Sequence, residues 1–206
     1  MNDASPVVIK AGGSLLDWPE LPERLQAYLD LRASERVVLV VGGGAAADLI
    51  RRMDQIHSLG EERSHVLALR SLDLTAHLLA SLLENVVVVD RLEDLKSCWN
   101  SAKVPAFAPR HFLETEEAGP DPLPRSWGLT TDSVAARLAL RLDARELVLL
   151  KSADPPACLT EAVASGYIDG EFLKAAVGVR RIVARNLRSP TANERIWEAS
   201  RDPDDL

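Results

Sequence analysis

The residues Lys10-Ala11-Gly12-Gly13-Ser14 directly follow the first strongly apolar run of the sequence. Glycines let the backbone approach a ligand closely and adopt positive φ, so consecutive amides can point at one oxyanion. Lys10 adds a mobile positive charge, and Ser14 adds a hydroxyl. These residues favour phosphate binding, although the lysine precedes the glycines and the segment is therefore not a Walker A loop. A tight turn with a surface lysine is the alternative, and this segment alone does not decide between the two.

Three consecutive glycines, Gly42-Gly43-Gly44, follow a second apolar run and precede a helical pattern. At such a junction the free amides and the positive end of the helix dipole meet at one point, which is a natural anion site. Gly42, Gly44 and Ala47 also match the relaxed dinucleotide fingerprint G-x-G-x-x-A. Against a dinucleotide site, this motif follows the second strand instead of the first. The acidic residues about 20 positions later also open a helix, where the fingerprint requires the end of a strand.

A third segment, Trp127-Gly128-Leu129-Thr130-Thr131-Asp132-Ser133, leads directly into an apolar helical pattern. Thr130 or Thr131 could cap this helix while Asp132 favours its positive end, and that role would be purely structural. A carboxylate at this point could equally hold one or two lysines, or a Mg²⁺–phosphate group, in place. Both interpretations of Thr131 and Asp132 stay open at the level of the sequence.

A fourth segment, Lys151-Ser152-Ala153-Asp154-Pro155-Pro156, follows a later apolar run. If that run is a strand of the same sheet, Lys151 stands at its ligand-binding edge, and the loop through Ser152 and Asp154 could cover a nucleotide. The alternative is a solvated loop without a ligand.

Short β-branched runs alternate with longer helical patterns along the chain. Strands that are hydrophobic throughout, each followed by a helix, predict a largely parallel sheet with helices on both faces, an α/β three-layer αβα sandwich. Ligands bind such sheets outside the carboxyl ends of the strands, where the residues after Ile9, Val41 and Leu150 would lie. The predicted strands are residues 6–10, 36–41, 86–89, 104–108, 146–150 and 181–184, and the predicted helices are residues 20–31, 45–57, 61–84, 91–102, 130–142, 169–176 and 191–200.

Two of these stretches carry further expectations. The predicted helix 61–84 is apolar on most sides, which indicates that it is pressed between the sheet and another surface, such as a second subunit. We therefore expect a homodimer or a larger homo-oligomer. Residues 114–126 contain three prolines, one glycine and four acids, and we expect a loop beside the active site there. The length of 206 residues predicts a single domain.

Composition excludes several classes of function. The net charge of −7 argues against a general nucleic-acid or anionic-membrane binder. No apolar run reaches the ~18–20 residues of a membrane span, and no signal peptide is recognisable. Cys98 and Cys158 have no ligand spacing and are expected to be reduced thiols of a cytoplasmic protein. We expect no metal ligation by the histidines, which are His57, His65, His77 and His111.

In this order, the segments resemble the amino acid kinase superfamily, which includes uridylate, aspartate, acetylglutamate and carbamate kinases. The stretch VVIKAGGSLL looks like the first phosphate loop of that family, and VVLVVGGG looks like its second glycine loop. The stretch LTTDSVAARLALRLDARELVLLKSADP is similar to the corresponding uridylate-kinase-like segment. The resemblance covers most of the chain, and it implies a phosphotransferase that uses ATP and Mg²⁺ on a small anionic acceptor.

The resemblance also implies roles for individual residues. Lys10 would contact the transferring phosphoryl group, and Asp132 would orient a lysine cluster. Lys174 is the one candidate for the second catalytic lysine that many relatives carry downstream. The phosphate and acceptor side would be roughly residues 1–125 and the nucleotide side roughly residues 126–206. The implied nucleotide-binding residues are Gly12, Gly13, Ser14, Gly42, Gly43, Gly44, Thr131, Lys151, Ser152, Asp154 and Lys174.

Within the superfamily, the short chain and the Ser126-Trp127 pair before LTTDS are most similar to the small kinases of methanofuran biosynthesis. Those enzymes phosphorylate 5-(aminomethyl)-3-furanmethanol phosphate. A uridylate-kinase-like enzyme is the nearest alternative. Pro156 replaces a glycine of the family's nucleotide loop, which fixes φ and removes an amide donor. A non-catalytic ATP-binding regulator or storage protein of the same fold therefore stays open. An NAD-binding Rossmann domain also stays open, because of the fingerprint at Gly42, Gly44 and Ala47.

Overall fold

The computed structural model describes residues 5–119, 122–124, 127–191 and 193–198. Within these residues a single sheet has seven strands. Each strand is four to six residues long, and the central strands consist mainly of apolar residues, as expected for strands that are buried on both faces. The strands are β1 Val7–Ala11, β2 Val37–Val41, β3 Val86–Val89, β4 Val104–Phe107, β5 Glu146–Lys151, β6 Ile182–Asn186 and β7 Glu194–Trp197.

Helices connect and cover the strands. Two short 3₁₀ turns, Gly13–Leu15 and Leu92–Asp94, precede the first and fourth helices. In the described part of the chain, no helix is both long enough and apolar enough to cross a membrane. The helices are α1 Leu21–Asp30, α2 Gly44–His57, α3 Glu61–Leu82, α4 Leu95–Asn100, α5 Arg110–Glu117, α6 Thr131–Arg141, α7 Leu159–Ala164 and α8 Phe172–Ala175.

The strand order is β3-β4-β2-β1-β5-β6-β7, and every pairing is parallel except the antiparallel pairing of β7 with β6. β1 lies between β2 and β5. Ala11 is in register with Val41 on one side and with Leu150 on the other. The loops that follow these three strands therefore start side by side at one edge of the sheet, as the sequence predicts.

Both faces of the sheet are covered, which confirms the three-layer αβα sandwich. Alternate residues of each strand point to opposite faces, so Val8 and Leu149 belong to one apolar cluster while Ile9 and Leu150 belong to the other. The first cluster is closed mainly by α5, α6 and α8, and the second mainly by α1. The helix α3 contributes to both clusters.

The loop predicted for residues 114–126 begins later than expected. Helix α5 continues to Glu117 because Phe112 and Leu113 are buried against the core and Arg110 forms an i,i+4 ion pair with Glu114 at 3.1 Å. The high content of acids and prolines concealed this helix. Residues 120, 121, 125 and 126 of the predicted loop lie outside the described residues.

The predicted helix at residues 191–200 is wrong. The described part of that stretch forms the edge strand β7, whose Ile196 pairs with Val183 of β6. Its Trp197 is buried and packs edge-to-face on Tyr167, with the ring centroids 5.9 Å apart. A stretch this short has no clear helical period, and the open edge of β6 supplies the hydrogen-bond partners that favour a strand. Residues 199 and 200 lie outside the described residues.

Candidate active site

The two glycine loops at the carboxyl edge of the sheet pack directly against each other. A Cβ atom at Gly42 would lie 2.5 Å from the amide nitrogen of Gly13, and one at Gly44 would lie 2.7 Å from the Gly13 carbonyl oxygen. Gly44 also has a positive φ of 49°, which disfavours other residues. The contact between the loops therefore requires glycine at positions 42 and 44, whether or not a ligand binds there.

Not every glycine amide is free to bind phosphate. The amide of Gly12 donates to the Leu150 carbonyl at 2.8 Å, and that of Gly42 donates to the Ala11 carbonyl at 2.9 Å. These two amides continue the sheet. For the amides of Gly13 and Gly43 we find no backbone acceptor among the described residues, and the N-terminus of α2 begins at Gly44. The amides of Gly13 and Gly43 are thus available to bind an anion at the start of α2.

A buried carboxylate joins two lysines at this edge. Lys10 Nζ lies 2.8 Å from Oδ1 of Asp132, and Lys151 Nζ lies 2.6 Å from its Oδ2. The side chain of Asp132 is only 4% exposed, and that of Lys10 is 6% exposed. Lys151 donates further to the Tyr167 carbonyl at 2.7 Å. Two positive charges are thereby fixed beside the glycine loops by one negative charge.

The pKa values reflect this arrangement. Burial alone would raise the pKa of Asp132, but Lys10 and Lys151 together hold it below the usual value of an aspartate. Burial, reinforced by the neighbouring charge of Lys10, lowers the pKa of Lys151 to about 8 against the pull of Asp132. Lys10 and Lys151 thus share a single carboxylate as their counter-ion. A bound phosphate group would supply the further negative charge that the two ammonium groups need.

The N-terminus of α6 places Asp132 in this position. Thr130 is the N-cap, and its Oγ1 accepts a hydrogen bond from the Asp132 amide at 3.2 Å. Thr131 is buried and lines the same cavity as Asp132. The sequence left helix capping and lysine binding as alternatives for this segment. In the structure Thr130 caps the helix, and Asp132 binds the lysines.

A cavity of about 620 Å³ opens over the lysines and the glycine loops. It extends from the sheet edge, past the N-terminus of α6, to the first turns of α2 and α3. The hydroxyl of Tyr167 in its wall is buried without a hydrogen-bond partner among the described residues, and burial raises its pKa. The lining includes Lys10, Gly12, Gly13, Ser14, Gly42, Gly43, Gly44, Asp48, Arg51, Glu61, His65, Trp127, Thr131, Asp132, Lys151, Tyr167 and Asp169.

The end of the cavity away from the sheet carries aromatic and charged groups. The indole of Trp127 donates to Oδ2 of Asp54 at 3.0 Å, and the Arg51 guanidinium lies 5.0 Å from the centre of its ring. His65 Nε2 and Glu117 Oε1 are 2.6 Å apart, and both side chains are about nine-tenths buried. This end can therefore contact a flat ring and groups of either charge.

Several of these residues carry no site signal in the sequence alone. The sequence considers His65 only as a metal ligand and rejects that role, and it indicates neither Tyr167 nor Asp169 as a site residue. Glu117 falls in the stretch that was expected beside the active site, but it was not singled out. The position of His65 four residues after Glu61 in α3, facing the same cavity, is the signal that sequence reasoning could have used.

Three predicted binding residues do not line the cavity. Ser152 approaches the loop from outside, with its Oγ 2.8 Å from Oγ of Ser14. Asp154 accepts a hydrogen bond from the side chain of Asn186 at 2.8 Å. Lys174 lies in α8, beside a separate surface depression. The second lysine at Asp132 is Lys151, and Lys174 does not line the cavity.

Comparisons with known proteins identify the family and the fold of the chain. The model of the amino acid kinase family matches residues 5–155. A curated relative, [5-(aminomethyl)furan-3-yl]methyl phosphate kinase of Methanocaldococcus jannaschii, is 28% identical over 148 residues, which are 71% of this chain and 66% of that protein. The chain thus spans just under two thirds of that relative's length.

Solved structures show the same fold at low sequence identity. UMP kinase from Ureaplasma parvum aligns with a TM-score of 0.65 at 15% identity, over 94% of this chain and 99% of that one. Aspartate kinase from Synechocystis aligns with a TM-score of 0.68 at 15% identity, over 95% of this chain and 40% of that one. With the family model matching most of the sequence, the chain belongs to the amino acid kinase family.

Proposed function

We propose that this protein transfers the γ-phosphoryl group of ATP to a small anionic acceptor. The observation that carries the proposal is the pair of lysines, Lys10 and Lys151, on the two oxygens of the buried Asp132, beside the free amides of Gly13 and Gly43. A fixed cluster of positive charge in a partly enclosed cavity is what phosphoryl transfer requires, because the charge of the transition state is spread over the oxygens of the moving group.

The proposed reaction requires little covalent chemistry from the protein. An oxygen of the acceptor, already anionic as a phosphate or carboxylate, attacks the γ-phosphorus, and the bond to the β,γ-bridging oxygen breaks with release of ADP. No proton has to be removed from such an acceptor, so no general base is needed. Lys10 and Lys151 neutralise charge on the phosphoryl oxygens, and Asp132 keeps both ammonium groups in place.

The cavity fits the phosphates of ATP. The amides of Gly13 and Gly43, the two lysines and the unpartnered Tyr167 hydroxyl all offer donors at the sheet edge. Mg²⁺ fits as an ion carried by the nucleotide, because it commonly binds through phosphates with one or two carboxylates. Among the described residues, no group of three or more potential ligands could cage it alone. When bound, Mg²⁺ would neutralise phosphate charge.

For the acceptor we propose 5-(aminomethyl)-3-furanmethanol phosphate. The named activity of the M. jannaschii relative supports this choice. The far end of the cavity supports it too, because Trp127 offers a surface for a flat ring and Glu61 offers a carboxylate for an ammonium group. We propose that residues up to about 125 chiefly form the phosphate and acceptor side and that later residues, apart from Trp127, chiefly form the nucleotide side.

Measurement of ADP release with a panel of acceptors tests the proposal. The furan phosphate should support turnover, with product identified by mass spectrometry, whereas UMP should not. Turnover with UMP alone would instead establish the uridylate-kinase-like alternative. In the same panel, NADH should fail to raise the melting temperature that ATP with Mg²⁺ raises.

A non-catalytic ATP-binding protein is the second candidate function, and the loop after β5 favours it. Pro155 and Pro156 lack amide donors, and the Pro156 carbonyl is held by the Trp197 indole at 3.3 Å. If this protein only binds ATP, Lys10→Ala and Asp132→Asn should each leave the ATP affinity intact, and the wild type should phosphorylate no acceptor. Turnover that either substitution abolishes rules this candidate out.

We further propose that the protein is a cytoplasmic homo-oligomer that associates through α2 and α3. Leu49 and Ile56 of α2 and Leu74 of α3 are each more than half exposed, although α3 is buried along its other side. Exposed apolar residues on neighbouring helices commonly mark an interface. The unpaired thiols of Cys98 and Cys158 support a reducing compartment.

A further inference from the structure

A short segment between α7 and α8 contacts Lys151 and also the helix turn that carries its counter-ion Asp132. Tyr167 supplies the carbonyl oxygen that accepts from Lys151 Nζ at 2.7 Å. Two residues later, Asp169 supplies a carboxylate that binds the first turn of α6, which carries Asp132. Residues 167–169 therefore hold the lysine from one side and the helix of its counter-ion from the other.

Asp169 is bound to α6 through both of its oxygens. Its Oδ2 accepts from the Thr130 hydroxyl at 2.6 Å, from the Thr130 amide at 3.2 Å and from the Ser133 amide at 3.3 Å. Its Oδ1 accepts from the Ser133 hydroxyl at 2.5 Å and from the Glu171 amide at 3.1 Å. The carboxylate thus satisfies amides at the start of α6 and sits at the positive end of its dipole.

The two neighbouring carboxylates, Asp132 and Asp169, bind different sets of partners. Asp132 faces the lysines, and Asp169 is occupied by donors from α6 and from its own segment. Thr130 links the two, because its hydroxyl donates to Asp169 and accepts from the Asp132 amide. A shift of Asp169 would move the turn that aims Asp132.

We propose that Asp169 is a positioning residue that sets the geometry of the lysine cluster through Asp132. It does not touch the reacting groups itself. The structural part of this proposal concerns the ligand-free protein, and its kinetic part rests on the proposed kinase function. Two measurements keep these parts separate.

The first measurement is an NMR titration of the lysine side chains, labelled with ¹³C at Cε, in the ligand-free protein. Asp169→Asn should lower the titration midpoint of Lys151, because a displaced Asp132 stabilises the ammonium less. Removing the charge of Asp169 acts in the same direction. Ser133→Ala is therefore the decisive variant, since it keeps that charge and deletes the 2.5 Å hydrogen bond. It should also lower the midpoint.

Thr75→Val is the matched control. It removes a buried hydroxyl that donates to the Leu72 carbonyl within α3, outside the cavity, and it should leave the Lys151 midpoint unchanged. A Lys151 midpoint that Ser133→Ala does not move overturns the proposal. Thermal unfolding of each variant identifies any loss of fold, and Ser133→Ala still decides the question if Asp169→Asn fails to fold.

The second measurement is a double-mutant cycle on turnover. Asp169→Asn should lower kcat by about tenfold or more, with the KM for ATP changed by less than about twofold. In an Asp132→Asn background, Asp169→Asn should lower kcat by less than about twofold, because the carboxylate through which Asp169 acts is already absent. Equal losses in both backgrounds contradict the proposal. If the wild type phosphorylates no acceptor, the kinase function fails while the NMR titration still decides the role of Asp169.

Discussion

Lys10 and Lys151 approach the two different oxygens of one carboxylate, at 2.8 Å and 2.6 Å. The first lysine leaves the end of β1 and the second ends β5, so the parallel register of these neighbouring strands brings them together. The counter-ion Asp132 comes from the start of α6. Three separate segments thus bring two positive charges and one negative charge together. A bound phosphate group can neutralise the excess positive charge.

The protonation of Lys151 predicts a pH dependence of the reaction. With a pKa of about 8, Lys151 is charged below this pH and loses its proton above it. In the free enzyme, kcat/KM should therefore fall by about tenfold per pH unit above pH ~8. Bound phosphates raise the pKa of a neighbouring ammonium, so the corresponding fall in kcat should occur at higher pH. Steady-state kinetics between pH 6 and pH 10 measure both profiles. Lys151→Arg should abolish the fall in kcat/KM, and a flat wild-type profile would contradict the assignment.

Replacement of Asp132 should affect both turnover and stability. In Asp132→Asn, two buried ammonium groups lose their counter-ion, so we expect kcat to fall by about 10²-fold or more and the free energy of unfolding to fall by about 3–5 kcal/mol. Coupled ADP assays and urea unfolding measure these effects. Asp143→Asn, which opens the exposed pair with Arg180, is the control and should change neither appreciably. Full activity in Asp132→Asn would remove the carboxylate from the mechanism.

The contact between the glycine loops predicts a graded series of alanine variants. Gly42→Ala places Cβ 2.5 Å from the Gly13 backbone, whereas Gly12→Ala places it 3.2 Å from the Leu150 carbonyl. Gly42→Ala should therefore lower the melting temperature and ATP affinity more than Gly12→Ala does. Gly119→Ala, far along the chain near the end of α5, serves as the control for ATP affinity. Calorimetry and nucleotide titration measure both quantities. Equal effects at Gly42 and Gly12 would show that the loops relax easily.

The pair of His65 and Glu117 predicts a separation of acceptor binding from nucleotide binding. His65→Asn removes the imidazole from the far end of the cavity, so the KM for the acceptor should rise by about tenfold while the KM for ATP stays within about twofold. Glu117→Gln should act in the same direction because it weakens the 2.6 Å contact that orients the ring. His111→Asn, on the exposed side of α5, is the matched control. An increase in the KM for ATP alone would place His65 on the nucleotide side instead.

The exposed side of α2 and α3 predicts the oligomeric state. The wild type should elute as a dimer or larger species in size-exclusion chromatography with light scattering. Leu74→Glu, which places a charge on the most exposed leucine of α3, should shift it toward the monomer. Leu31→Glu alters an even more exposed leucine at the end of α1 and should leave the elution unchanged. A monomeric wild type would contradict the proposed interface.

The sequence was sufficient for the sheet edge because its signals are local. Continuous apolar runs identified β1, β2 and β5, and the glycines directly after them indicated close approach of the backbone. The partnership of Lys151 with Asp132 was not predicted, since it arises from tertiary packing of β5 against α6. The family pattern pointed to Lys174 as the second lysine, but no residue of its helix α8 lines the cavity.

Other parts of the structure were concealed by composition or by length. Acidic residues and prolines hid the end of α5, and β7 was too short to have a recognisable period. Asp169 lacked a signal because its donors, Thr130 and Ser133, are distant in sequence and meet it only when α6 packs beside α8. Polar networks of this kind need the fold before they can be identified.

The interlocked glycines also constrain how this protein can diverge. Because Gly42 and Gly44 touch the backbone of Gly13, a side chain gained by one loop is accommodated only if the other loop withdraws. Substitutions in the two loops are therefore expected to be coupled, even though β1 and β2 are separated along the chain by α1. The walls of the cavity where Trp127 and His65 lie do not share this constraint.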